Sequence, residues 1–185
     1  AFHDVVVTVV QLTGAPVVVA ASCLSLVTAG LVWPLGSLLL ARTVLGPGRG
    51  VTLAAAVAST AFTAFPYWLM GYGVLWPNVL GYALLPATLA MLVVALHPER
   101  SAGRRSTAVV MLVAALPGVA LAHPNALFAL GFFGLLAVVE RVVMAAVAAQ
   151  RSGRRGPAIA ITGALLAGLA VIVAVWAWVT AHAEA

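Results

Sequence analysis

Runs of alanine, valine and leucine, broken at short intervals by glycine, proline and arginine, set the pattern of this chain. A helix crosses a bilayer with roughly 20 apolar residues, and six stretches read as membrane-embedded segments on that scale. The first, 16–41, contains Pro34, which donates nothing to the helix ladder and is expected to bend it. After the glycine- and proline-rich turn "RTVLGPGRG" come 51–70 and 78–96. The polar loop "HPERSAGRRS" leads to 107–122, which is short for a span, and then to 126–149. The sixth, 158–180, follows "RSGRRGP", and residues 181–185 form a short tail. Residues 1–15 are too few to span and are expected to lie at the membrane interface. The fold class expected is an all-α polytopic transmembrane bundle of about six spans.

Composition supports lipid as the solvent. Of 185 residues 64% are hydrophobic and 7% charged, against about 25% charged in a soluble domain. Mean hydropathy is +1.17. The chain opens with Ala1, Phe2, His3 and Asp4, without a basic leader pattern or an initiator methionine, and so reads as a piece of a longer protein. All nine basic residues are arginines, a bias that fits a GC-rich bacterial genome.

The net charge of +5 does not point to nucleic acid, because the arginines sit in or near the loops between apolar runs. Arg42 and Arg49 flank the first loop, Arg100, Arg104 and Arg105 the third, and Arg151, Arg154 and Arg155 the fifth. Arg141 lies a few turns before that last loop, beside Glu140. Alternate loops of a six-span chain share one side, so the positive-inside rule makes that side cytoplasmic. The expected location is the plasma membrane, with the bilayer itself as the first partner.

The opposite face carries polar and aromatic residues and no arginine. "WPNVLG" (76–81) and "HPNALF" (123–128) each set Pro-Asn before an apolar helix. Proline turns its predecessor out of the α region. Asparagine then suits the N-cap, where its side chain accepts from N–H groups that lipid would leave unsatisfied. On that reading Asn78 and Asn125 are caps. His123 is not required by a cap, and an ionisable group at membrane depth invites a functional reading. "FPYWLMGYGVLW" (65–76) offers Trp68 and Trp76 either to the aromatic belt at the lipid headgroups or to a sugar or isoprenoid. Trp176 and Trp178 read as belt residues, and His182 and Glu184 as tail.

Several chemistries lack their motifs: a phosphate-cradling glycine loop, CxxC, HExxH, GxSxG and paired carboxylates are all missing. Cys23, the single cysteine, allows no internal disulfide. The residues call for no cofactor; a divalent metal, with Asp4 as a ligand, stays open, but no ligand set in the sequence supports it.

The segments "FHDVVVTVVQLTG", "LVWPLGSLLL", "FPYWLMGYGVLWPNVLGYALLP" and "LAHPNALFAL" resemble an uncharacterised family of large actinobacterial multi-pass membrane proteins. Members of that family carry a Tyr-Pro-x-Gly-aromatic-His segment, of which Phe2-His3 would be the remnant. The family's layout is similar in turn to the C-type (GT-C) glycosyltransferases. What that resemblance implies is inverting sugar transfer from a polyprenyl-phosphate donor to an envelope glycan acceptor on the outer face. A carboxylate would serve as base for the acceptor hydroxyl. The catalytic residue stays unassigned, with Asp4 the nearest candidate. His3, Trp68, Trp76, Asn78, His123 and Asn125 would bind substrate. The outer face departs from the pattern in having no arginine for the phosphate. A transporter or flippase, or a structural membrane subunit, are the other readings.

Overall fold

The computed structural model describes residues 2–62, 64–71 and 75–152, with Gly156, Gly163 and Gly168. The sixth segment, 158–180, apart from Gly163 and Gly168, and Arg154, Arg155, Trp176, Trp178, His182, Glu184 and the tail lie outside the described residues. The chain is all-helical, without strands among the described residues. Five helical stretches are long and apolar enough to cross a membrane: Val17–Leu45, Arg49–Gly71, Trp76–Leu96, Ala102–Ala122 and Pro124–Arg151.

In chain order the elements are α1 (Phe2–Thr13), α2 (Val17–Val27), α3 (Trp33–Leu45), α4 (Arg49–Ala61), α5 (Leu69–Gly71), α6 (Trp76–Leu96), α7 (Ala102–Ala122) and α8 (Pro124–Arg151). A π-helical turn, Thr28–Val32, joins α2 to α3, and a second, Ala64–Trp68, precedes α5. The first is explained by Pro34. Its ring meets the carbonyl four residues back and it brings no N–H, so the turn before it widens. The Trp33 N–H accordingly bonds the Thr28 carbonyl. Helix α3 closes on Gly46, whose φ of 94° lets its N–H turn back to the Arg42 carbonyl at 3.2 Å.

The chain divides into two compact units, Ala1–Gly134 and Leu135–Ala185. In the first, α6 is the central helix, flanked by α3 and α7. Small residues make this possible. A Cβ on Gly36 of α3 would stand 3.3 Å from the Ala87 nitrogen and 3.6 Å from the Ala83 carbonyl oxygen, so the backbones approach closely, as lipid-embedded helices do in place of a hydrophobic drive. Leu85, Leu89, Val119, Ala126 and Leu130 form the core where α6, α7 and the start of α8 meet. A second cluster, Phe2, Val6, Ala20 and Ala21, seals α1 onto α2. Outward-facing positions stay apolar: Val110 is 67% exposed and Phe128 75%. A water-facing surface would be polar there; a lipid-facing one has this composition. The chain is therefore an integral membrane helical protein.

Pair contacts fix the helix directions in this unit. Trp33 lies against Ser59 and Arg42 against Thr52, so α4 runs antiparallel to α3. Arg105 meets Ala95 while His123 meets Gly81, so α7 runs antiparallel to α6. Gly36 meets Ala83 and Ala87, with Leu40 packed against the Leu85–Leu89 core, so α3 and α6 run parallel. The five arginines 42, 49, 100, 104 and 105 thus gather at one end of the unit, and residues 65–71, 75–78 and 123–125 at the other.

Element bounds differ from the sequence reading most at α7. Hydropathy starts that segment at Thr107, yet the helix starts at Ala102 and takes Arg104 and Arg105 into its first turn. Its 21 residues reach about 31 Å at 1.5 Å per residue, a full hydrocarbon thickness. Segment 51–70 is instead interrupted: α4 stops at Ala61, and Phe62 and Phe65 are extended before the chain turns again.

The second unit contains the latter part of α8. Arg141 pairs with Glu140 at 2.7 Å, both partly exposed, a contact worth well under about 1 kcal/mol at such exposure.

Candidate functional site

The arginine-free end of the first unit is built on the start of α6. Leu75 occupies the N-cap position without a side-chain bond, and Pro77 falls in the first turn, where its missing N–H costs nothing. Asn78 is therefore three residues into the helix and is not its cap. Its Oδ1 is buried and has no hydrogen-bond partner among the described residues. An acceptor left so costs about 1–3 kcal/mol relative to a paired one, which makes it the most conspicuous polar group at this end.

His123 and Asn125 also exchange the roles expected of them. His123 is extended (φ −164°, ψ 136°) between α7 and α8, and its carbonyl accepts from the Ala126 N–H at 3.0 Å. The Asn125 N–H donates to His123 Nδ1 at 3.2 Å, so the histidine caps α8 and the asparagine is exposed. The physical reason is Pro124. It disfavours the α region for its predecessor, and His123, so displaced, becomes the cap of α8. With Nδ1 accepting, the neutral imidazole carries its proton on Nε2 and is a donor there.

Gly81 brings these turns together. A Cβ on it would lie 2.8 Å from the Ala126 Cβ and 3.4 Å from the His123 Cβ. Asn78, one helical turn earlier, shares that face of α6. Two of the expected residues, Asn78 and His123, are thus held around one helix crossing.

The α1 side supplies a second group. The Phe2 ring packs 5.6 Å from Trp76 and 5.7 Å from His3. Trp76 is half-buried, and its indole N–H donates to the Met70 carbonyl at 3.1 Å. His3 and Asp4 are exposed on the first turn of α1. They are neighbours in sequence.

Trp68 is 61% exposed. Next to it, Pro66 and Tyr67 help line a cavity of about 220 Å³, together with Leu26, Gly30 of the first π turn, Ser59, Thr60 and Met70. Among the described residues no three of His, Cys, Asp or Glu approach closely enough to hold a metal.

Sequence reasoning missed the aromatic chain behind this end. Trp33, Phe65 and Tyr82 follow one another at ring separations of 4.5 and 6.2 Å, and the Trp33 indole N–H donates to the Ser59 carbonyl at 2.7 Å. That carbonyl lies in the last turn of α4, where no intrahelical donor remains. A tyrosine in the otherwise apolar run 79–85 was the available signal.

Neither the curated proteins nor the solved structures contain a match to this chain. A family model does match, over residues 1–185, and the chain belongs to the Family of unknown function (DUF6541).

Proposed function

We propose that this chain is the membrane core of a glycosyltransferase of the C type, taking a sugar from a polyprenyl-phosphate carrier on the outer face of the plasma membrane for envelope assembly. The observation that carries the reading is the buried, unpartnered Asn78 oxygen on the α6 face that meets the His123 turn. A buried acceptor without a donor is suited to a ligand that brings hydroxyls, and sugars bring several.

The roles divide by chemistry. Asn78 accepts from a sugar hydroxyl. His123 Nε2–H donates to a phosphate oxygen while Nδ1 holds the α8 backbone. Trp76, fixed by Phe2 and by its bond to Met70, offers a face to the sugar ring. The cavity beside Tyr67 takes the first isoprene units. In the reaction a base removes the acceptor hydroxyl proton, that oxygen attacks the anomeric carbon, and the carbon–phosphate oxygen bond breaks. Asp4, at this end but exposed, is the nearest carboxylate among the described residues for the base. The five clustered arginines then face the cytoplasm, in accord with the positive-inside rule.

The test uses membranes holding the full-length protein, radiolabelled polyprenyl-phosphate sugars and native envelope acceptors. Transfer should fall at least tenfold in Asn78→Leu and His123→Ala at equal expression. Absence of transfer by the wild type across the common donors would sink the proposal.

A further inference from the structure

The arginine end holds a different feature. A groove of about 420 Å³ opens between α3, α6 and the start of α7. Its walls are apolar, from Leu39, Met91, Val94 and Met111, and Arg104 stands among the lining residues. Arg104 and Arg105 fall in the first turn of α7, where the helix dipole is positive and cations are disfavoured. No acidic residue lies in that turn, and Ser101 makes no side-chain cap bond there. The first intrahelical donor is the N–H of Arg105, to the Ser101 carbonyl.

The two neighbouring hydroxyls do not relieve this. Thr43 Oγ1 donates to the Leu39 carbonyl at 2.7 Å and Thr107 Oγ1 to the Gly103 carbonyl at 2.9 Å. Arg105 Nε is committed to the Ala95 carbonyl at 3.2 Å. Arg104 has no carboxylate partner among the described residues. The donors on offer at the mouth of the groove are its guanidinium and the N–H groups of the first turn. An apolar slot with a cationic mouth is complementary to an acyl chain carrying a phosphate.

The geometry points to a binding site for an anionic phospholipid of the arginine-side leaflet, its phosphate on Arg104 and the α7 N-terminus, its chain along Leu39, Met91 and Met111. This goes beyond the glycosyl-transfer reading and stands without it.

The experiment is native mass spectrometry of the full-length protein from micelles titrated with dioleoylphosphatidylglycerol, dioleoylphosphatidylcholine or inorganic phosphate. The wild type should retain phosphatidylglycerol in preference to phosphatidylcholine. Arg104→Gln should weaken that retention about five- to tenfold, as expected for one arginine at a charged lipid surface. Gly103→Leu should weaken it by filling the groove, since a side chain there meets open space and no backbone. Arg105→Gln, which lines a separate pocket, should leave it unchanged. Equal retention of the two lipids, indifference to Arg104→Gln, or displacement of the lipid by millimolar phosphate would each overturn the assignment. Circular dichroism of the variants separates lost binding from lost fold.

Discussion

Gly81 is where the fold and the candidate site share one atom's worth of space. An added Cβ would stand 2.8 Å from the Ala126 Cβ, against about 3.5–4.0 Å for carbon atoms at their optimum. The helices must therefore separate by roughly 1 Å, and the moving partner is the His123 turn, 3.4 Å from the same point. Overpacking of this kind costs about 1–3 kcal/mol. Replacing a helical glycine by alanine also returns about 0.5–1 kcal/mol of backbone entropy, so a reference is needed. Gly118 supplies it, being in α7 with nothing near its Cβ. Gly118→Ala should stabilise slightly, and Gly81→Ala should lie about 1–3 kcal/mol below it. Removing the opposing methyl in Gly81→Ala/Ala126→Gly should recover at least ~1 kcal/mol of coupling, as contacting pairs do. The assay is reversible unfolding in mixed micelles followed by tryptophan fluorescence. Additive effects in the double variant would refute the claim that close α6–α8 approach at Gly81 sets the position of the His123 turn.

Four further outcomes follow from named contacts. Trp33→Phe should cost about 1 kcal/mol, the worth of one hydrogen bond, by orphaning the Ser59 carbonyl, and the same unfolding assay reads it. Asn78→Leu should leave stability equal or higher, because the lost oxygen has no partner, while lowering sugar transfer; a stability loss would make Asn78 structural. His123→Ala should cost about 1 kcal/mol through the lost cap, and His123→Asn should restore the cap but not transfer; full transfer in His123→Asn would leave the imidazole no role. Cysteines placed at Gly103 and Asn125 in a Cys23→Ala background should react with an impermeant maleimide from opposite sides of oriented vesicles, with Gly103 cytoplasmic.

The helical class and five of the apolar segments were legible because lipid imposes one requirement on every residue of a span, and runs of alanine, valine and leucine satisfy it visibly. Exact starts were less legible. Arg104 and Arg105 lower the local hydropathy, yet a helix needs only backbone geometry at its first turn, so α7 begins at Ala102. The break at 62–65 was hidden because extended phenylalanines look as apolar as helical ones. At the candidate site the Pro-Asn pairs were read correctly as helix starts, but the cap was assigned three residues too late at α6 and two too late at α8. Proline tolerates either of the first two helical positions, so the cap falls one residue before Pro124 but two before Pro77. The meeting of Asn78 with the His123 turn was beyond a one-dimensional pattern. It depends on Gly81, and a glycine in an apolar run does not announce which helix it admits.

The distribution of polar groups along the spans bears on the choice between transfer chemistry and transport. Within α4 and α6 the hydroxyls of Ser59, Thr60 and Thr88 donate to carbonyls three or four residues back. Such bonds leave no proton for an anionic cargo moving through the bundle. Ser25 and Ser37 have buried unpaired oxygens, but the residues packed between α3 and α6 are close enough that Gly36 has no room for a methyl without displacing the Ala87 backbone. A transport path through that crossing would need the helices to part. Asn78 and His123 lie instead where the chain already turns, at the arginine-free end of the unit. Disulfide trapping separates the two cases. A Gly36→Cys/Ala87→Cys pair, in a Cys23→Ala background, should lock α3 to α6 and abolish transport if the bundle works by opening. Sugar transfer at the other end should survive the same lock.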